Sequence, residues 1–161
     1  MTDQADERRA FELATRAIGK RERSEWELRR FLAQRRFDHD AIDAAVAAFS
    51  DAGLVDDAGY AVRFTQDRRH LDGWGSERIA RELARRGIER ELIEAALASA
   101  GVDDELAAAV ELLDRRFPFP LSGDRERDKA WRLLVRRGYE PELAYTAVRA
   151  HERGTERRAA A

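Results

Sequence analysis

Arg30, Arg81 and Arg132 stand 51 residues apart, and the positions four further on, Gln34, Arg85 and Arg136, keep the same interval. So do Arg35, Arg86 and Arg137. A guanidinium is a planar fork of donors that grips a carboxylate or a phosphate through two parallel hydrogen bonds. On a helix, residues four apart share a face, so three such sets in register offer a stripe of anion-binding groups. A plainer reading stays open: arginines in water, paired with nearby acids such as Glu77 beside Arg81, contribute little. Helix-end capping accounts for the pairs at 85–86 and 136–137. It does not account for Arg30, Arg81 and Arg132, and the repeated set is therefore assigned to partner binding.

Other chemistries find less support. Catalysis needs convergent groups, such as a nucleophile with its base, paired carboxylates or metal ligands. Cysteine is absent, which removes disulfides, thiolate nucleophiles and thiolate-bound metals. His39, His70 and His151 lie 31 and 81 residues apart, a spacing that matches no helical metal site. Ser24, Ser50, Ser76, Ser99 and Ser122 have no histidine at a repeated offset. The stretch "DGWGSER" lacks the Lys-Ser/Thr ending of a phosphate loop and follows a helical pattern. Asp56-Asp57 could hold a magnesium ion, but adjacent side chains diverge and helix capping is the simpler use. The expectation is a protein that is not an enzyme and takes no cofactor.

The elements that would position these arginines repeat as well. "LAQRRFDHDAIDAAV" (32–46), "LARRGIERELIEAAL" (83–97) and "LVRRGYEPELAYTAV" (134–148) follow one another at the same interval. The second and third agree at 8 of 15 positions and the first and second at 6 of 15. Apolar residues recur at i, i+3, i+4 and i+7, while alternating strand patterns are nearly missing. The reading is all-α, with nine helices in three groups of three. The first group carries Phe11, Ala14 and Ile18, then Leu28, Phe31 and Leu32, then Ile42, Ala45, Val46 and Phe49. In the second, Tyr60 and Phe64 precede Ile79 and Leu83, then Ile93, Ala96 and Leu97. The third has Leu106, Val110 and Leu113, then Trp131, Leu134 and Val135, then Ala144, Ala147 and Val148.

Boundary residues support the division. Gly87 and Gly138 lie just past a helix whose last turn is cationic, as a C-terminal glycine and the macrodipole require. Pro141 suits the first turn of the next helix, with Glu140 as its N-cap, matched by Glu89 and Asp38. Arg36 stands where the other copies have glycine, so that turn should be strained or differently shaped. Asp56-Asp57 and Asp103-Asp104 suit helix starts. The domains are expected at 8–55, 56–102 and 103–153, with a flexible tail over 154–161. Units this small bury little apolar surface alone, and in tandem they support one another as an elongated, curved body.

Composition narrows the partners. Charged residues make up 39% of the chain, yet the net charge is only -2, which disfavours a polybasic coat for DNA. No apolar run reaches the ~18 residues of a membrane span, and "MTDQADERRA" is too polar for a signal peptide. A cytoplasmic monomer with no membrane partner is expected. Two aromatic features stand outside the periodic core. Trp74, between two glycines, is either a lid on its own bundle or an exposed anchor. "RRFPFPLSGDRERDKAW" (115–131) is the proline-bearing interruption inside the third group, and its Phe117 and Phe119 could dock on something.

The sequence also resembles the RecX family of regulatory proteins over nearly its whole length. The resemblance rests on "RERSEWELRRFLAQR" (21–35), "LVDDAGYAVRFTQDR" (54–68), "GWGSERIARELARRGIERELIEAAL" (73–97) and "KAWRLLVRRGYEPELAYTAV" (129–148). It departs at Arg36, where glycine is expected, and in its slightly acidic balance. The resemblance implies tandem three-helix repeats without enzymatic activity that bind the RecA recombinase and lie along the groove of its DNA filament. They block filament extension and restrain recombination, ATP hydrolysis and co-protease activity, in DNA repair and the SOS response. On that footing Arg81, Arg85, Arg86, Arg132, Arg136 and Arg137, with Arg30, would meet acidic protein surface or phosphate. Asp56, Asp57 and Trp74 would flank them. A weak direct contact with DNA fits the acidic balance, and a nucleic-acid-binding repeat protein acting without RecA is the alternative.

Overall fold

The structure, a computed structural model, describes residues 2–160, with side chains from Gln4 onward. Among the described residues there are nine α-helices and no strands. They are α1 (Thr2–Lys20), α2 (Glu25–Ala33), α3 (His39–Asp51), α4 (Asp57–Asp72), α5 (Ser76–Arg85), α6 (Arg90–Ala100), α7 (Val102–Arg116), α8 (Asp124–Arg136) and α9 (Pro141–Ala159). Each triplet is a first, a middle and a third helix.

Local chemistry places the ends. Ser24 and Glu27 form a complete capping box at the start of α2, which satisfies two amides that a helix start leaves open. Asp38 caps α3 by accepting from the Ala41 amide at 2.8 Å. Pro141 occupies the first turn of α9, as expected, but the Glu140 side chain makes no capping bond. The Arg36 turn is not differently shaped. Its φ of 63° lies in the same left-handed region as Gly87 at 75° and Gly138 at 90°, so a non-glycine residue carries the strain of that conformation.

The 51-residue register is a core register. Leu28, Ile79 and Ala130 are equivalent and fully buried, as are Leu32, Leu83 and Leu134. Ala45, Ala96 and Ala147 repeat the rule on the third helices. Each buried leucine contributes roughly 1.5–3 kcal/mol.

By packing, the chain divides into two compact units. One holds the residues up to Ala61 together with Leu83–Ile93; the other holds Val62–Glu82 and the residues from Glu94 onward. In the first unit α1, α2 and α3 pack on one another around Leu28, Leu32, Val46 and Phe49. In the second, α9 packs on α7 and α8 around Leu113, Leu134, Tyr139 and Val148. The middle triplet is shared between the units, for reasons given by its bonds below.

The expected flexible tail is overturned. Residues 154–159 continue α9, and Ala161 lies outside the described residues. His151 and Thr155 are buried, and Asp114 on α7 receives His151 Nδ1 at 2.7 Å and Arg158 at 3.0 Å. Arg127 on α8 reaches Glu152 at 2.5 Å. An apolar-poor stretch is thus held by side-chain bonds to α7 and α8.

Candidate partner-binding surface

Helix geometry explains why the arginine series faces outward. At about 100° per residue, Arg30 lies opposite both Leu28 and Leu32, and Arg81 and Arg132 stand in the same relation to their own buried pairs. All three are exposed, and so are Arg85 and Arg136. The bonds of Arg30, Arg81 and Arg132 are slight. Arg30 lies 5.1 Å from the Trp26 ring centroid, Arg81 Nε donates to the Glu77 carbonyl at 3.3 Å, and Arg132 pairs with Asp128 at 3.0 Å. Exposed pairs of this kind are worth about 0–1 kcal/mol, so a partner's carboxylate or phosphate can replace them at little cost.

Clefts open beside the series. One of about 270 Å³ runs between α2 and α3, lined by Trp26, Arg29, Arg30, Ala33, His39 and Ile42. Another of about 420 Å³ lies between α8 and α9, with Asp128, Trp131 and Tyr145 among its walls. Both sit at the seam of a middle and a third helix. Each combines an aromatic ring with charged rims, the make-up of an interface anchor site.

Arg86 and Arg137, expected on this surface, are half-buried and bonded within the protein. Arg86 donates to the Tyr60 hydroxyl at 2.9 Å and lies 3.5 Å from Glu27. Arg137 donates to the Asp72 carbonyl at 2.6 Å. Their backbones form a joint that occurs twice. The Ser24 hydroxyl, at the start of α2, donates to the Arg86 carbonyl. The Gly75 amide, at the equivalent start of α5, donates to the Arg137 carbonyl at 2.9 Å, and Glu77 donates to Gly138 at 3.0 Å. Thus the start of one middle helix satisfies the end of the next, 51 residues on. This is why the end of α5 belongs to the first unit and its start to the second.

The joint explains both glycines. A Cβ on Gly87 would lie 2.3 Å from Trp26 Cβ, and one on Gly138 would lie 2.4 Å from Arg78 Cβ. Left-handed φ and close approach coincide there, and only glycine meets both demands. Arg36 is exposed, so the first demand alone applies to it.

Asp56 and Asp57 are capping residues. Asp56 accepts from the Gly59 amide at 3.0 Å within its own helix start. Asp57 accepts from the Glu25 amide at 2.9 Å, which caps α2 from 32 residues away. Burial raises the Asp57 pKa above its ordinary value. Trp74 is half-buried, edge-on to Phe64 at 6.3 Å, with Arg78 at 4.2 Å and Arg68 at 5.4 Å from its ring.

Sequence reasoning missed the counterpart of the Asp57 cap. Glu105, on α7, accepts from the Ser76 amide at 2.7 Å and the Ser76 hydroxyl at 2.6 Å. Fully buried Arg69 donates to that hydroxyl at 2.7 Å and lies 3.5 Å from Glu105. Burial also pushes the Tyr139 phenol well above its ordinary pKa, with the Glu105 charge acting in the same direction. No helical period links 69, 76 and 105. An acid at the start of each triplet's first helix was the available signal. Each histidine pairs singly with a carboxylate: His39 with Asp43, His70 with Asp104, and His151 with Asp114.

Comparison with known proteins agrees with this architecture. Three family models match in order: the first three-helix domain of RecX over residues 10–48, the second over 56–97 and the third over 103–148. Regulatory protein RecX of Chlorobium phaeobacteroides is 32% identical over 137 residues, covering 84% of this chain and 88% of that protein. Regulatory protein RecX of Mycolicibacterium vanbaalenii is 33% identical over 146 residues, 86% of this chain and 79% of that one. The crystal structure of RecX from Lactobacillus salivarius superposes with a TM-score of 0.83 at 19% identity, over 94% of this chain and 99% of that one.

Proposed function

Because the chain belongs to the RecX family, we propose that it is a cytoplasmic regulator that binds the RecA recombinase and its nucleoprotein filament along the groove. By occupying the groove it blocks filament extension, and so restrains recombinase, ATPase and co-protease activity in DNA repair, recombination and the SOS response. It does so without covalent chemistry. The observation that carries this reading is the exposed register of Arg30, Arg81 and Arg132, joined by Arg85 and Arg136. A filament presents the same surface again and again, and a repeat chain presents the same cation again and again.

The physics of such contact is multivalent. Each arginine gives a weak, exchangeable grip, but once one is seated its neighbours act at high effective concentration. Bridging adjacent protomers clamps their interface, and occupying a growing end stops the next addition. Arg86 and Arg137 hold the arginine-bearing helices to their neighbours and do not themselves touch the partner. Asp56, Asp57 and Trp74 support that positioning.

The test is RecA assembly on single-stranded DNA, followed by light scattering and ATP hydrolysis. Wild-type protein is expected to slow both. The double charge reversal Arg81→Glu with Arg85→Glu is expected to lose most of that inhibition while melting as the wild type does. A folded double variant with full inhibition would remove these residues from the surface.

A further inference from the structure

The second joint is built around a fully buried cation. Arg69 on α4 is 1% exposed, and its Nη2 donates to the Ser76 hydroxyl at 2.7 Å. Its counterions come from the first turn of α7, Glu105 at 3.5 Å and Asp104 at 3.7 Å. The repeat register shows that folding a bundle does not call for this charge. Thr65 and Arg69 stand 51 residues after Ala14 and Ile18. Thr65 and Ala14 are both fully buried, and Ile18 packs against the apolar core of α1, α2 and α3. An aliphatic side chain thus serves where α4 has a guanidinium.

Stability does not explain the pair either. Desolvating two opposite charges costs about as much as their attraction returns, and apolar side chains of like volume often do as well or better. Arg69 Nε and Nη1 add to the cost, since neither has a hydrogen-bond acceptor among the described residues. What an apolar pair cannot supply is direction. Hydrophobic burial is non-directional, whereas a hydrogen bond fixes both distance and angle. Glu105 accepts two from one residue, the Ser76 amide at 2.7 Å and the Ser76 hydroxyl at 2.6 Å.

Ser76 is where position matters. On either side of it, the Gly75 and Glu77 amides donate to the Arg137 and Gly138 carbonyls at 2.9 and 3.0 Å. A Cβ on Gly75 would lie 2.3 Å from the Gly138 backbone, so the start of α5 and the end of α8 meet with no room to slide. Exposed Arg81 stands five residues beyond Ser76 on α5, and exposed Arg132 five residues before Arg137 on α8. An orientation set at Ser76 is therefore carried along two helices to both.

We propose that Glu105, with Arg69 as its counterion, is a positioning residue that holds Arg81 and Arg132 at one spacing for the repeated anionic groups of a polymer. This rests on the proposed role at RecA, and neither buried residue touches the partner. The chain has no cysteine, so nitroxides at Arg81→Cys and Arg132→Cys report that spacing by double electron–electron resonance, without RecA. Arg69→Met with Glu105→Leu removes the directional bonds and keeps the volume. This pair is expected to melt cooperatively and to broaden the single narrow distance. With both surface arginines in place, it is expected to weaken RecA inhibition roughly 10-fold as the contacts uncouple. Arg69→Met with Glu105→Gln drops both charges but keeps an acceptor for the Ser76 amide. That pair is expected to match the wild type in distance and in inhibition.

Four results overturn the proposal. A broad distance in the wild type, or a narrow one in the Glu105→Leu pair, means that these bonds do not set the spacing. Loss of cooperative melting in either pair means that the charges hold the bundle itself. An equally broad distance in the Glu105→Gln pair assigns the effect to lost charge and not to lost direction. A broad distance with undiminished inhibition means that the spacing is of no account to the partner. Wild-type protein without effect on RecA fails the functional reading, while the distances still judge what Glu105 and Arg69 do.

Discussion

Arg36, Gly87 and Gly138 occupy one position of the repeat and answer to different constraints. All three hold left-handed backbone, a conformation that costs an L-residue roughly 1–2 kcal/mol. Glycine removes that strain but brings a more flexible unfolded chain. Arg36→Gly is therefore expected to raise stability by about 0.5–1 kcal/mol. Gly87→Ala adds to the strain a Cβ within 2.3 Å of Trp26, and should cost about 2–4 kcal/mol once overpacking is included. Denaturant unfolding of the two variants checks the contrast. Equal and opposite effects of similar size would mean that backbone strain alone governs both sites.

The last turns of α9 belong to the scale of elements. They carry few apolar side chains and are tied to α7 through Asp114. Burial alone would raise the Asp114 pKa, but hydrogen bonds from Arg158 and His151 outweigh it and hold the carboxyl below its ordinary value. The sign follows from linkage. A depressed carboxylate contributes stability that is fully present above the unfolded value and is lost as pH falls through the folded one. Amide protection in residues 152–159 is thus expected to hold through neutral and mildly acidic pH and to drop below the ordinary carboxylate range. Asp114→Asn should show low protection throughout and no step. Hydrogen exchange read across that range decides it, and an unchanged step in the variant assigns the tie elsewhere.

At the scale of the whole molecule, the repeated arginines predict how inhibition should respond to their number. Arg30→Glu, Arg81→Glu and Arg132→Glu are each expected to weaken RecA inhibition by about 5-fold, on the order of 1 kcal/mol for an exposed charge contact. The triple variant should lose far more than any single one, because linked contacts multiply. Inhibition curves for the four variants measure this. If one substitution abolished the effect and the others did nothing, a single contact would replace the distributed one.

Much of this was legible in the residues. Helical period, capping box, glycine turns and the 51-residue interval are local or periodic signals, so they named the helices, the buried leucines and alanines, and the outward face of Arg30, Arg81 and Arg132. Only the tertiary structure separated Arg85 from Arg86 and Arg136 from Arg137. These neighbours are chemically identical, and their fates depend on Tyr60, Glu27 and Asp72, which lie far along the chain. Asp57 and Glu105 were likewise decided by helix starts some thirty residues earlier. A period along one helix states which side is apolar; it carries no information about which distant amide or carbonyl will need a partner once the helices are packed.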